Sequence, residues 1–244
     1  MVKVGLFLFF LRVVYNVFSN VIFTLQPLFI FVAVGSMLVG TFGALKQVKV
    51  KRFIAYASIS QVGFIMLGVA SCSLIGFISA LMYLFLYAVM SFAFFTLLLN
   101  TEHATKKTPV IYLSELYCLS LYSSNAAKYL AAILFSMAGI PPLGGFICKL
   151  LVYLAAMDAK LDVAVLFSLL LSIISTYYYL NFIHYIWFVK FNSLRLYYFK
   201  SDFSLNIFLE AIVFFLIGFM ILSPLLLRVT TNLAISCLWP IYFY

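Results

Sequence analysis

The sequence predicts an all-α fold, a polytopic bundle of about seven membrane-spanning helices, one of them discontinuous. Three observations carry that expectation. Of 244 residues, 67% are hydrophobic and only 9% charged, with a mean hydropathy of +1.21, which no water-soluble core of this size requires. Apolar stretches of about 20 residues, enough to cross a bilayer core of about 30 Å at about 1.5 Å per residue, recur along the chain. The shorter alternating segments of an outer-membrane barrel do not recur.

The first span is expected over 4–24. It resembles a signal peptide in its basic start at Lys3, but it is long, contains Arg12, lacks a small-residue cleavage site and is followed by further spans. Spans over 27–46, 53–72 and 75–99 follow. The fifth, over 128–157, is about 30 residues long and holds GIPPLGGFICKLLVY, where two prolines and three glycines interrupt an apolar run. Two half-helices in line fit this stretch better than one straight rod. The sixth span covers 163–189 and the seventh 206–227, with Glu210 near its start, where a carboxylate suits a helix N-terminus. No soluble domain is evident. Residues 1–231 are expected to form one transmembrane half-domain and 232–244 an interfacial tail, whose Trp239 and tyrosines suit an aromatic belt.

The net charge of +9 is mostly a signal of topology. The connections at 46–52, 100–128 and 190–205 all fall on one side of a seven-span chain and hold ten basic residues, against Lys160 and Arg228 on the other. That side is the negative, inner one, cytoplasm or mitochondrial matrix. Nucleic acid is not implied, because the basic residues sit in separate short loops. The cysteines Cys72, Cys118, Cys148 and Cys237 form no C-x-x-C pair, so neither a metal cluster nor a disulfide framework is suggested.

Removing the loop cations leaves Lys3, Arg12 and Lys149 inside apolar spans. A charge at the bilayer centre costs about 2.5–3.5 kcal/mol on insertion scales, so a lysine without a task is rarely left there. Lys3 and Arg12 lie near a chain end, and Arg12 can snorkel along its alkyl stem. Lys149 follows Pro141, Pro142, Gly144 and Gly145, residues that free backbone carbonyls which lipid cannot satisfy; this stretch must be packed in protein or face water. Ser58 and Gln61 in the third span, Tyr83 and Tyr87 in the fourth, and Tyr177 and His184 in the sixth could line a hydrated path, or simply hydrogen-bond helix to helix. His184, a residue type that can shuttle protons, lies close to a basic loop.

Two stretches resemble one family. QVKVKRFIAYASISQVGF is similar to the Q-x-x-x-K-R-x-x-A-Y-S-S-I-x-H-x-G signature of the antiporter-like membrane subunits of respiratory complex I, and AGIPPLGGFICKLLV resembles the broken-helix signature of their later half. Within that family, the G-I-P-P-L-x-G-F-x-x-K form looks like that of subunit 2, since subunit 4 carries glutamate at the lysine position. KVGLFLFFLR, with lysine and arginine nine residues apart, is similar to the family's eighth helix, and its 48 positions to Lys51 match bacterial versions without a gap. The spans would then be helices 8 to 14 of a fourteen-helix subunit.

The resemblance implies a proton-translocating piece of a multi-subunit enzyme, without redox chemistry in this chain. Flavin, iron–sulfur clusters and ubiquinone would be handled elsewhere in the complex, and this chain would hold no cofactor. By position, Lys3 resembles the central relay lysine and Lys149 the lysine of the broken helix, with Arg12, Ser58, Gln61, Tyr87, Pro141, Pro142, Gly144, Gly145 and His184 in support. Gln61 departs from the family, standing where histidine is common. The implied partners are a separately encoded N-terminal half, other membrane-arm subunits including 4, 4L and 6, and lipids, cardiolipin among them. The implied location is the mitochondrial inner membrane, or a bacterial plasma membrane. Two alternatives stay open: a component of a related cation/proton antiporter, and a structural remnant without proton transfer.

Overall fold

In a computed structural model, which describes residues 2–103, 110–116, 119–188, 197–199 and 203–238, the chain is almost wholly helical. In order come α1 (Val2–Asn16), a 3-10 turn (Ser19–Val21), α2 (Ile22–Leu45), α3 (Val50–Ala70), α4 (Leu74–Leu99), β1 (Thr101–His103), a 3-10 turn (Leu113–Leu116), α5 (Leu119–Tyr122), α6 (Ser124–Ala138), α7 (Gly144–Asp158), α8 (Asp162–Trp187), β2 (Tyr197–Phe199) and α9 (Phe203–Leu238). Among the described residues, five helices are long and apolar enough to cross a membrane: α2, α3, α4, α8 and α9. α6 and α7, of 15 residues each, follow one another across a short break.

The first expected span is divided. α1 stops at Asn16, near turn-forming residue types that a count of hydropathy overlooks, and α2 starts at Ile22 and accommodates Pro27 within its second turn. Pro224 likewise lies inside α9. It has no N–H for the Met220 carbonyl, and Ser223 Oγ donates to that oxygen at 2.8 Å instead. α9 also runs further at both ends than the expected 206–227. Within it, Glu210 is the eighth residue rather than an N-terminal one, and it accepts from the Tyr129 hydroxyl of α6 at 2.6 Å.

α3 sits at the centre, packed against α2, α4, α7 and α8. Its seam with α2 is closed by small residues: a Cβ on Gly40 would overlap the Ser60 backbone, and one on Gly43 would overlap the Tyr56 ring. Lipid gives no hydrophobic push between helices, so such close approach supplies the packing that joins them.

The connections sort onto two sides. Backbone bonds from Val50 to Ile111 (3.0 Å) and from Leu113 to Val48 (2.9 Å) join the first basic connection to the second. The β1–β2 ladder, pairing Thr101 with Phe199, joins the second to the third. The three basic connections therefore gather at one end of the bundle. Of their cations, Lys106, Lys107, Lys190, Arg195 and Lys200 lie outside the described residues, as does 239–244 of the expected tail. At the opposite end, the Tyr15 hydroxyl donates to the Ser73 carbonyl at 3.4 Å and Gln26 Nε2 to the Ala70 carbonyl at 3.2 Å.

Candidate functional site: two lysines joined along one helix

The break between α6 and α7 builds the first half of the site. α6 ends on Gly139, whose φ of +84 is the left-handed conformation that closes a helix without a Cβ penalty. Gly139 N–H bonds to the Ser136 carbonyl at 3.1 Å and Ile140 N–H to the Phe135 carbonyl at 3.2 Å, the two bonds of a Schellman cap. A helix leaves its last four carbonyls without intrahelical partners, and the cap takes two. The remaining pair go to side chains: Gln61 Nε2 donates to the Met137 carbonyl at 3.2 Å and Lys149 Nζ to the Ala138 carbonyl at 2.9 Å.

α7 starts alongside this end. Gly145 N–H reaches Ser136 Oγ at 3.3 Å, and a Cβ on Gly145 would strike the Ser136 carbonyl. Gly144 is enclosed by Leu86 and Phe219. Both glycines are thus required by packing, whereas Pro141 and Pro142 form the exposed outer edge of the link. One turn into α7, Lys149 is 4% exposed. Its ammonium also stands 4.8 Å from the centre of the Phe64 ring, within range of a cation–π attraction. The carbonyl end of α6 carries the negative pole of its dipole, so it favours a cation there.

The second half is built on α3 and α1. Lys3 Nζ donates to Ser58 Oγ at 2.6 Å. Ser58 lies eight residues into α3 and Gln61 eleven, about 12 and 16 Å along a helix about 31 Å long, so both are near mid-bilayer. Lys3, Lys51, Ser58, Tyr87 and Ser91 line a cavity of about 490 Å³. Between Ser58 and Gln61 a void of about 20 Å³, mostly apolar in its surface, touches Tyr87, Tyr179 and Met137.

Gln61 joins the halves. Besides the Met137 carbonyl, its Nε2 meets the Tyr179 hydroxyl at 3.2 Å, and its Oε1 accepts from the Tyr83 hydroxyl. All three side chains are 1% exposed. Lys3, Ser58, Tyr87, Gln61 and Lys149 are therefore brought together, with Gly144 and Gly145 framing the break. Arg12 and His184 are not part of it. Arg12 is exposed on α1, and His184 is exposed near the end of α8, stacked on Phe188 at 5.4 Å.

Sequence reasoning missed Tyr179 and Phe64. Tyr177, one of the sixth-span candidates, is 64% exposed, while Tyr178 and Tyr179 are buried. The buried stripe Ser168, Ser175, Tyr179, Phe182 and Ile186 follows helical spacing and would have picked the right tyrosine. Among the described residues no cluster of His, Cys, Asp or Glu suits a metal ion, and no carboxylate lines either lysine.

Residues 1–175 match the family described as NADH:quinone oxidoreductase/Mrp antiporter, transmembrane. NADH-quinone oxidoreductase subunit N 1 of Rhizobium meliloti is 34% identical over 186 residues, which is 76% of this chain and 38% of that protein. NADH-ubiquinone oxidoreductase chain 2 of Arabidopsis thaliana is 32% identical over 235 residues, 96% of this chain and 46% of that one. This chain thus spans less than half the length of these relatives. Among solved structures, respiratory complex I from Thermus thermophilus superposes with a TM-score of 0.69 at 22% identity, over 83% of this chain and 45% of that one. The Mrp complex from Dietzia sp. gives 0.75 at 20% identity, over 89% and 48%. At such identities the structures show a shared fold. With the family match covering most of its length, this multi-pass membrane chain belongs to the NADH:quinone oxidoreductase/Mrp antiporter membrane family.

Proposed function

We propose that this chain is a proton-translocating part of the membrane arm of respiratory complex I, corresponding to the later half of subunit 2, and that Lys3 and Lys149 are its relay groups. The observation that carries the reading is the Lys149 ammonium, buried on the carbonyl end of a broken helix, with Gln61 on the neighbouring carbonyl and Ser58, one turn away on α3, holding a second lysine. Burial disfavours a charge there, while the α6 dipole and the Phe64 face favour it. A proton held between such opposed effects is one that a change in nearby charge can load or release.

The route suggested by the geometry begins in the cavity shared by Lys3 and Lys51, wide enough to hold water. Lys3 gives a proton to the Ser58 hydroxyl, the Ser58 and Tyr87 hydroxyls each take one proton and release their own, and the last is taken up past Gln61 by Lys149 as the free amine. The charge that drives the lysines is not carried by the residues lining them, so a neighbouring chain supplies it. The partners are further membrane-arm subunits such as 4, 4L and 6, and lipids including cardiolipin. Flavin, iron–sulfur clusters and ubiquinone act elsewhere in the complex, and the location is the mitochondrial inner membrane.

The test is Lys149→Met in the assembled complex, with protons pumped per electron pair as the readout. The expected outcome is a lower stoichiometry with NADH oxidation retained. An intact complex that pumps as before would favour the structural remnant. The fold shared with the Mrp complex keeps an antiporter reading in play. Purification with flavin and iron–sulfur subunits supports complex I, and purification with antiporter subunits alone overturns it.

A further inference from the structure

The two side-chain bonds at the α6 terminus fall on consecutive carbonyls. Gln61 holds that of Met137 and Lys149 rests on that of Ala138. Each peptide is planar, so the orientation of the Ala138 carbonyl is set by what holds the plane before it and the residue after it. Gly139, after it, is fixed by the Schellman bonds. The plane before it is held by Gln61 alone among the described side chains. Gln61 is itself fixed, since turning its amide would break the bonds to Tyr83, Tyr179 and Met137 together.

We propose that Gln61 is a positioning residue for Lys149: by holding the Met137 carbonyl it fixes the adjoining Ala138 carbonyl on which the ammonium sits. This rests on the reading of Lys149 as a relay group. The titratable groups gathered here are Tyr83 and Tyr87 from α4, Cys148 and Tyr153 from α7, and Tyr178 and Tyr179 from α8; none is a carboxylate. Nothing among them replaces Gln61 as donor to the Met137 carbonyl.

The experiment compares Gln61→Met, Gln61→Glu, Gln61→His and Tyr83→Phe in the assembled complex. For each, the pH dependence of protons pumped per electron pair is measured beside uncoupled NADH oxidation. Met removes every bond of the amide. Glu, when ionised, still accepts from Tyr83 but has no donor for Met137, and it serves where the Met variant fails to assemble. His restores an N–H donor. The Met and Glu variants should move the midpoint of the pH profile by about half a unit or more, roughly threefold in the proton equilibrium. The His variant should leave it near the wild-type value, and Tyr83→Phe, which removes one of the bonds that fix the amide, should move it less than Met does. A purely structural role would lower assembly without moving the midpoint. Lys149→Met separates the two claims. Lost pumping there with an unmoved Gln61 midpoint overturns the positioning role alone, whereas unchanged pumping there overturns the relay and the role of Gln61 with it.

Discussion

Replacing Gly139 tests the break most directly. At φ +84 an alanine costs about 1–2 kcal/mol from its Cβ alone. That Cβ would also stand 2.9 Å from Lys149 Cδ and 3.2 Å from Nζ. Carbon atoms rest about 3.5–4.0 Å apart, so the lysine stem must retreat by about 0.6–1 Å. The bond to the Ala138 carbonyl, now 2.9 Å, would stretch past a useful length, and a hydrogen bond from a charged group contributes about 1.5–3 kcal/mol. The combined destabilisation is about 2.5–5 kcal/mol, enough to lower the yield of assembled complex. Gly139→Asn is the control: asparagine tolerates the left-handed conformation but keeps the Cβ. Native gels and pumping per electron pair should show both variants impaired in pumping, with alanine the worse in assembly. Wild-type pumping in both would refute the steric link between Gly139 and Lys149, and full rescue by asparagine would leave backbone strain as the whole effect.

Further outcomes follow from the same geometry. Gly145→Val puts its side chain through the Ser136 carbonyl and should abolish assembly, whereas Gly5→Ala, with no atom within 4 Å of the new Cβ, should assemble normally; quantitative immunoblots of the complex check both. Cys72, in the turn between α3 and α4, has its thiol pushed above the usual cysteine range by burial. Its thiolate is therefore scarce at pH 7, and modification by a membrane-impermeant maleimide should be slow, quicken as pH rises, and occur only from the side opposite the basic connections. Peptide mass spectrometry after labelling at pH 7 and pH 9 reads all three.

Much of this was legible because lipid punishes exceptions. A lysine and a proline–glycine cluster inside an apolar run stand out in composition alone, and Lys149 with its break lies where the sequence put it. The end of α1 was not legible, since Asn16, Ser19 and Asn20 are few against an apolar background. Tyr179 was hidden in a run of three tyrosines, where composition cannot tell which ring faces inward. The partners of Lys149 were beyond sequence in principle: a backbone carbonyl and the face of Phe64 carry no motif. Glu210 was misjudged because its partner, Tyr129, is 81 positions away.

The glycine seam between α2 and α3 bears on what moves. Ser58, Gln61 and Phe64, the contacts of Lys3, the linking amide and Lys149, all stand on α3, spread over about 9 Å of its length. Pressed backbone to side chain against α2, that rod has no slack in which to slide or tilt. On the proposed reading it would serve as a stator, with its three stations spaced by a single helix. Whatever travels across the bilayer here is then the light cargo, handed between flexible side-chain tips, while the heavy frame stands still.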